Sequence, residues 1–326
     1  MKKRSFLSQL GTVAAAASLL VWGIGSAQAQ AFPNKPVKLV IPLTAGSGAD
    51  LAARILAKSL TEIWKQPVVV ENRPGAGGLL GTGVVAQAPA DGYTLMVQSA
   101  SYSANPAIYK KLPYDPVKDF QPIGLIGRGS MFLVVNASSK IKTVEDLIQT
   151  ARAIPGKLNF GSGSSSSLVG SELLKQMANI QVTSVPYKSN PQAVNDLMGG
   201  QIDYMFLDSS TALPLIRAGR LHPLAVSAAT RSQAAPAVPT VAEAGLPGFE
   251  VTYWNAVYAP AGVAPDIVEK LAKLIAGGAL SKRMVLRQES LGGEAITSTP
   301  SELADYQASE VRTWGRIIRA AGIEPE

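Results

Sequence analysis

Two turns rich in glycine and serine contain the residue types in this sequence that are best suited to chemistry. Residues 44–50 read TAGSGAD, and residues 161–167 read GSGSSSS. Glycine lets the backbone approach a ligand closely, and serine hydroxyls donate hydrogen bonds without adding charge. A turn that leads into a helix also presents free N–H groups and the positive end of the helix dipole to an anion. Either turn alone could be an ordinary connection, but two of them in separate units favour a ligand site.

Asp208 is an acidic residue that, like the two turns, stands where a predicted strand ends. It follows the apolar run 204–207, and so it lies at the carboxyl end of a predicted strand. Open α/β sheets bind their ligands at that edge. An aspartate there can contact a ligand, or it can cap the helix that follows. The sequence leaves both interpretations open.

The motifs of cofactor-dependent and hydrolytic enzymes are missing or incomplete. The first turn lacks the third glycine of a dinucleotide-binding fingerprint because position 51 is leucine, and neither a Walker loop nor a Gly-x-Ser-x-Gly elbow occurs. A serine hydrolase built on Ser165 or Ser166 with Asp208 would need His222, the one histidine, as its base. We therefore expect no cofactor, no metal and no catalytic residue, and we keep the hydrolase as a rival hypothesis.

Composition narrows the class of protein further. The chain has 326 residues, of which 47% are hydrophobic and 16% charged, as in a globular protein. The absence of cysteine excludes disulfides, thiolate zinc sites and a lipoprotein anchor. Removing Lys2, Lys3 and Arg4 from the 30 Lys and Arg residues leaves 27 against 23 acidic residues, or +4. With no run of like charges, nucleic acid is not an expected partner.

The N-terminus has the pattern of an export signal. Residues 1–4 are basic, residues 10–24 are apolar, and Ala27-Gln28-Ala29 is a small-x-small cleavage pattern. The apolar stretch is shorter than the roughly 20 residues of a membrane-spanning helix. We predict a cleavable signal peptide at residues 1–29 and a mature protein in the periplasm.

Beyond this signal, strand patterns alternate with helix patterns, which predicts an α/β fold with mostly parallel sheets. The predicted strands are 38–43, 67–71, 93–98, 131–136, 158–161, 182–187 and 203–207. The predicted helices are 50–64, 79–88, 143–153, 166–178 and 191–198, with later ones starting at Pro265 and at the capping box of Thr299 and Glu302. Residues 236–260 read as a proline-rich connection.

Several stretches, in order along the chain, resemble one known group. They are PLTAGSGAD (42–50), ENRPGAGG (71–78), ADGYTL (90–95), YDPVKDFQPI (114–123), VPYK (185–188), DLMGGQID (196–203) and WNAVYAPAG (254–262). The chain resembles the substrate-binding proteins of the tripartite tricarboxylate transporter (TctC) family, also called the Bug family. The resemblance implies a two-lobed periplasmic-binding-protein fold, the type II-like Venus flytrap. Lobe 1 would comprise residues 30–130 plus 250–326, and lobe 2 residues 131–249.

The resemblance also implies a binding site and partners. Family members bind a ligand carboxylate mainly through backbone N–H groups of the two turns, in a cleft between the lobes. Carried over by position, the ligand-binding residues are Thr44, Ala45, Gly46, Ser47, Ser99, Ser101, Ser162, Gly163, Ser164, Ser165, Ser166 and Asp208. A monomer would deliver a small carboxylate to the large and small subunits of a membrane permease, or alternatively present it to a sensor kinase.

Two departures from the family pattern bear on the ligand. The first turn usually reads Pro-Phe-Pro-Pro-Gly-Gly, whereas this chain has Leu43 and a Thr-Ala-Gly-Ser sequence after it. The second turn usually has a histidine near the position of Val169, and this chain has none there. The loss of rings widens the pocket, so we hypothesise a bulkier or aromatic carboxylate as the ligand.

Overall fold

The computed structural model describes residues 32–325, so the signal peptide predicted at 1–29 lies outside the described residues. The chain divides into the segments Met1–Asn34 and Lys35–Glu326, and every element named below belongs to the second segment. Among the described residues, no helix has both the length and the apolar character needed to cross a membrane.

Strands and α-helices alternate over most of the described residues. The strands are β1 (Val37–Ile41), β2 (Val68–Asn72), β3 (Thr94–Ser99), β4 (Phe120–Asn136), β5 (Asn159–Ser162), β6 (Thr183–Pro186), β7 (Tyr204–Asp208), β8 (Leu221–Val226), β9 (Thr252–Pro260) and β10 (Gly293–Glu294). The helices are α1 (Gly48–Trp64), α2 (Leu79–Ala86), α3 (Ser101–Ile108), α4 (Val144–Ala153), α5 (Ser165–Ala178), α6 (Asn190–Met198), α7 (Ser209–Arg217), α8 (Pro265–Ala279), α9 (Lys282–Ser290) and α10 (Pro300–Ala320).

The strands form two sheets that share β4. In the first sheet, β1 lies between β2 and β3 and is parallel to both, and β9 connects β3 to β4 by antiparallel pairing. In the second sheet, β5 is parallel to β6 and β7, and β4 is antiparallel to β7 and β8. The sheets are therefore mixed: the predicted parallel strands lie toward the outside, and antiparallel strands connect the two sheets.

Strand β4 passes from one sheet to the other at a single peptide bond. Its residues up to Ser130 pair with β9, and from Met131 onward they pair with β7. Buried Ser227 joins the strands at this point, because its Oγ accepts a hydrogen bond from Met131 N (2.8 Å) and donates one to Val251 O (2.5 Å). Three passages of the chain between the sheets are thus tied together at one hydroxyl.

Helix starts follow the signals in the sequence closely. Thr299 caps α10, accepting from Glu302 N at 3.2 Å, while Glu302 Oε2 accepts from Thr299 N at 2.8 Å. Thr143 forms the same reciprocal capping box with Asp146 at the start of α4. Each pair satisfies two backbone donors that would otherwise lack partners at the first turn of a helix.

One large apolar core includes residues of both sheets, and a second, smaller core lies on one face of the second sheet. Around the first sheet, Tyr102 of α3 packs against Tyr258 of β9 and Phe120 of β4, with ring centroids 5.4 and 5.9 Å apart. Beneath the second sheet, Phe132 and Met205 are fully buried among small and branched residues of α6 and α7. The helices that follow the strands are therefore held firmly on the sheets.

Two central strands escaped the sequence prediction. Residues 236–260 were expected to be a connection, but their last third is β9, a central strand buried from Tyr253 to Pro260. The first half of β4 was missed because Pro122 and three glycines read as turn residues. In the structure, Pro122 and Gly124 flank an irregularity in the pairing with β9, and Tyr253 Oη lies where a Cβ at Gly129 would stand. Tertiary contacts therefore override the local signal.

Candidate functional site

Four strand-to-helix junctions form the frame of the candidate site. Strands β1, β3, β5 and β7 each lead within a few residues into the N-terminus of a helix, namely α1, α3, α5 and α7. Because β1 is parallel to β3 and β5 is parallel to β7, each sheet has two of these helix N-termini at one edge. Helix N-termini carry free N–H groups and partial positive charge, so all four can contribute to binding an anion.

The helices that follow these junctions meet in two pairs across the boundary between the sheets. Helix α1 of the first sheet contacts α7 of the second, and α3 of the first contacts α5 of the second. The helices that follow the predicted turns thus belong to opposite sides of one interface. The predicted residues Ser99 and Ser101 lie at the β3–α3 junction and are both buried.

One carboxylate, that of Asp50, fixes the conformation of the first turn, residues 44–47. Asp50 is buried, and its Oδ2 accepts hydrogen bonds from Gly46 N at 2.9 Å and from Arg54 Nε at 3.0 Å. Burial would raise the pKa of Asp50, but hydrogen bonds from Arg54, Gly46 and Asn72 and the Arg54 charge lower it below its usual value. The carboxylate therefore stays charged and fixes the conformation of the turn.

Asn72 extends this support to the neighbouring strand. Its Nδ2 donates to Asp50 Oδ1 at 2.9 Å and to Leu43 O at 3.1 Å, while its Oδ1 accepts from Arg54 at 2.9 Å. Ser47 caps α1 by accepting from Asp50 N at 3.3 Å. In this network the Arg54 guanidinium is already occupied by Asp50 and Asn72, so turn 44–47 faces outward with backbone and hydroxyl groups.

The second turn is fixed in a different way. Ser164 caps α5, accepting from Ser167 N at 3.3 Å and from Asn190 Nδ2 at 3.1 Å. Gly163 packs so closely on the backbone at Ser189 and Asn190 that a Cβ atom would overlap it. Glycine is required there for a close approach, while the neighbouring Ser162, Ser165 and Ser166 lie at the end of β5 and the start of α5.

Asp208 faces the first turn from the opposite sheet. It occupies the N-cap position of α7, but its side chain makes no cap hydrogen bond. A Cβ atom at Gly48 would lie 2.7 Å from Asp208 Oδ2 and 3.1 Å from Ser210 Oγ. The aspartate is therefore directed toward the N-terminus of α1 rather than toward its own helix. Desolvation raises the pKa of Asp208 to about 6.

His222 lies far from this cluster. It belongs to β8, where it pairs with Val135 of β4, and its Nε2 is 3.1 Å from Lys142 O. Asp208 pairs with Met131, four residues back along β4. At about 3.3 Å per residue, His222 and Asp208 are separated by about 13 Å along the strand. The histidine that the hydrolase hypothesis needs is thus outside the cluster of turns.

Sequence reasoning did not pick out three residues that shape the site. Gly48 packs against Asp208 and Ser210 of the other side, and Asn72 braces the first turn. The proximity of Asn72 to Asp50 could have been anticipated from the parallel pairing of β1 and β2, since Asn72 ends β2 and Asp50 lies in the first turn of the helix that follows β1. Nothing in the local sequence distinguishes Gly48 from Gly46, the other glycine of the turn.

A separate cavity of about 1090 Å³ lies away from the turns and is lined by none of the predicted ligand-binding residues. Its walls come from the middle of β4, the start of β9, residues 228–234 and the C-terminal helices α9 and α10. Within residues 32–325, no group of three or more His, Cys, Asp or Glu side chains is arranged to hold a metal ion.

Comparison with known proteins decides the family. The model of the tripartite tricarboxylate transporter family receptor matches residues 52–323. The chain belongs to this family. Its fold is the two-lobed α/β fold of periplasmic binding proteins, as predicted, and its family and structural neighbours are solute-binding proteins rather than enzymes.

Three solved structures illustrate the similarity. Rpa4515 from R. palustris, described with adipate, is 33% identical with a TM-score of 0.87, covering 90% of this chain and 100% of its own. The periplasmic binding protein BugD is 31% identical with a TM-score of 0.86, and the match also covers 90% of this chain and 100% of its own. MatC from Rhodopseudomonas palustris, with bound malate, is 30% identical with a TM-score of 0.83, covering 88% of this chain and 100% of its own.

Proposed function

We propose that this protein is exported to the periplasm, captures a small carboxylate between its two lobes and delivers it to a tripartite tricarboxylate-type membrane permease. The observation that carries the proposal is the contact of α1 with α7 and of α3 with α5, because it supports a cleft at which helices that follow strands of both sheets meet. Membership of a transporter receptor family favours delivery to a permease over presentation to a sensor kinase.

The ligand's charge would be neutralised by partial charges. A hydrogen bond to a charged group is worth about 1.5–3 kcal/mol, so four of them supply on the order of 6–12 kcal/mol before the costs of closure. Micromolar affinity needs about 8 kcal/mol. Gly46 N and Ser47 N are already donated to Asp50 Oδ2 and Thr44 O. We propose that the other backbone N–H groups of the two turns, with the hydroxyls of Ser99 and Ser101, are sufficient without a cationic side chain.

The ligand class follows from the site and from the relatives. Rpa4515 and MatC are described with adipate and malate, both dicarboxylates. A dicarboxylate with one group at each turn would use both sides of the cleft at once, which favours the closed form. The loss of rings from the first turn, which we expect to widen the pocket, extends the proposal to a bulkier or aromatic dicarboxylate.

The lobes are proposed to be residues 30–130 plus 250–326 and residues 131–249. The change of β4 from one sheet to the other between Ser130 and Met131, and the hydrogen bond between Ser227 and Val251, support boundaries at these points. Ligand closure would then rotate the second sheet about the region around Ser227. A monomer is sufficient for this action, since both sides of the cleft come from one chain.

The proposal is tested by titrating the mature protein with succinate, adipate, malate, citrate, benzoate and terephthalate in a calorimeter. We expect one of the dicarboxylates to bind at a single site with micromolar affinity. If none of these acids produces heat, carboxylate capture is wrong. If succinate or citrate binds more tightly than the aromatic acids, the bulky-ligand hypothesis is wrong while the binding function stands.

Two matched variants test the place of binding. Gly48→Leu puts a side chain where Asp208 and Ser210 approach α1, so it should weaken the best acid at least about tenfold, or by about 1.4 kcal/mol. Gly83→Leu makes the same change in α2, where a Cβ atom meets nothing within 4 Å, and should bind normally. Equal affinity in the two variants would place the site somewhere else.

A further inference from the structure

Asp208 lies against the helix end at which we propose that an acid binds, and the inference drawn from it rests on that proposed function. Its Oδ2 is 2.7 Å from the position that a Cβ at Gly48 would occupy. Gly48 is the first residue of α1 and directly follows the turn 44–47. A ligand carboxylate at this turn would therefore lie close to a second carboxylate, which belongs to the protein.

The Asp208 side chain is unpartnered. Within residues 32–325 it makes no hydrogen bond and no ion pair, although Asp208 occupies the N-cap position of α7. Asp50, at the same end of α1, instead accepts hydrogen bonds from Gly46, Arg54 and Asn72. Asp208 is only partly buried, so a proton can reach it from solvent. Of these two carboxyl groups, Asp208 is thus the one that is free to change its protonation state.

The ionisable groups that face Asp208 from β9 and α1 leave its charge uncompensated. Tyr253 of β9 shares a hydrogen bond of 3.1 Å with Ser209, and burial raises the pKa of Tyr253, so the phenol stays neutral. The charged side chains in the first two turns of α1 are Asp50 and Arg54, which pair with each other at 3.0 Å. Neither element thus offers Asp208 an unpaired cation.

The other neighbouring elements supply no such cation either. Met131 of β4 pairs with Asp208, and Arg128, three residues earlier, is paired with Glu294 at 2.8 Å. Strand β5 and residues 291–293 contain no ionisable side chain, and α7 has none before its C-terminal residue. Desolvation consequently raises the pKa of Asp208 to about 6.

Two carboxyl groups that share a site do not both stay ionised, because their like charges repel each other. When one of them takes up a proton, it gains an O–H donor, and the hydrogen bond from that donor to the remaining carboxylate is short and strong. The partial positive charge at the N-terminus of α1 can then act on the one negative charge that is left.

We propose that Asp208 takes up one proton as the acid binds and donates the resulting O–H to an oxygen of the ligand carboxylate. The proton comes from water or buffer, no covalent bond of the ligand changes, and the ligand stays anionic. The protein thus binds the acid and a proton together, so its affinity for the acid falls as the pH rises.

The experiment is calorimetric titration of the mature protein with succinate, adipate, malate, benzoate and terephthalate at about pH 6.5, 7.5 and 8.5, where the carboxyl groups of these acids are ionised. We expect the affinity of the acid that binds to fall by up to about tenfold for each pH unit, since a proton has to be taken up. Titrations in phosphate and in Tris, which differ in their heats of ionisation, should show an uptake of about one proton per ligand at pH 7.5.

Asp208→Asn removes the titrating group and keeps a hydrogen-bond donor of the same size. It should bind the acid equally well at each pH, without proton uptake, and at pH 8.5 it should bind at least about tenfold more tightly than the wild type. Asp305→Asn, at an exposed position of α10, is the matched control and should retain the pH dependence and the proton uptake of the wild type. Thermal melts establish that both variants are folded.

The possible failures are distinguishable. Wild-type affinity that changes less than about twofold across the pH range, without proton uptake, overturns the proposal and leaves carboxylate capture intact. Weaker binding by Asp208→Asn at every pH overturns it as well, because the ionised Asp208 would then accept a hydrogen bond from the ligand. If none of the five acids binds at any pH, the proposal is wrong, and if citrate also fails to bind, carboxylate capture is wrong too.

Discussion

At the scale of single residues, the two aspartates of the candidate site behave in opposite ways. Asp50 is buried but accepts hydrogen bonds from Arg54, Gly46 and Asn72, and its pKa is lowered. Asp208 is desolvated without a compensating hydrogen bond or ion pair among the described residues, and its pKa is raised to about 6. The first therefore organises the turn, whereas the second is an acceptor that remains available at the N-terminus of α1.

The raised pKa of Asp208 predicts a specific pH dependence of stability. The contribution of the protonated Asp208 side chain to the free energy of unfolding is fully present below the unfolded pKa of 3.8. It is lost as the pH rises through about 6. The asparagine of Asp208→Asn cannot ionise. We therefore expect the free energy of unfolding of this variant to exceed that of the wild type by about 1–2 kcal/mol at pH 8 and to equal it below pH 3.8. Urea denaturation across this pH range measures the difference.

The exposed Asp305 of α10 offers a control for that series. Asp305→Asn should follow the wild-type profile at every pH, because this residue lies on the solvent side of its helix. An Asp208→Asn protein that is less stable than the wild type at pH 8 would show that the carboxylate makes a stabilising contact, contrary to our interpretation.

At the scale of elements, the helix N-termini of this protein are capped in more than one way. Those of α1 and α5 are capped by Ser47 and Ser164 at the candidate site, and those of α4 and α10, which follow neither turn, are closed by capping boxes. A capping box uses an acidic side chain to satisfy the end of the helix, whereas a serine cap leaves the remaining N–H groups for a ligand. Ser281 caps α9 in the same way although α9 follows neither turn, so the type of cap does not by itself identify a helix end that binds a ligand.

The cap of α10 can be tested without touching the site. Thr299→Ala removes the acceptor of Glu302 N, and we expect the free energy of unfolding to fall by about 1 kcal/mol. Thr313→Ala, at an exposed position of the same helix, should change it by no more than about 0.5 kcal/mol. Chemical denaturation measures both values, and equal losses would show that helix propensity, not capping, is responsible.

At the scale of the whole molecule, Ser227 joins the three chain passages between the sheets. Its hydroxyl bonds Met131 N and Val251 O, and the residue is fully buried. If closure rotates the lobes about this point, as proposed, the backbone groups there have to stay paired during the movement. A side-chain hydroxyl suits this role because it can rotate, unlike a backbone ladder.

Ser227→Ala leaves Met131 N and Val251 O without this partner in a buried region. We expect the free energy of unfolding to fall by about 2–4 kcal/mol, since each unpaired buried group costs about 1–3 kcal/mol. Ser184→Ala, on the exposed face of β6, is the matched change and should have little effect. Thermal and urea unfolding of both variants provides the measurement. A loss for Ser227→Ala no larger than that for Ser184→Ala would show that the hinge does not depend on this hydroxyl.

Local signals predicted most of the elements because the relevant physics is local. The apolar periodicity of 50–64 and the capping box at Thr299 depend on residues a few positions apart, and both helices are present. Strand β9 and the first half of β4 were missed because they are stabilised by one another and by Tyr253 over long sequence distances. The ligand-binding role of the predicted residues stays a prediction.

The sequence by itself determined the α/β alternation, the family and the two serine- and glycine-rich turns, because each depends on residue types at short spacing. Only the tertiary structure decided that α1 meets α7 and α3 meets α5, and that Asp208 turns away from its own helix toward Gly48. Only folding likewise gathered Glu250, Glu289 and Glu310 around one cavity. Such contacts depend on how β4 carries the chain from one sheet to the other, and short-range patterns contain no information about that path.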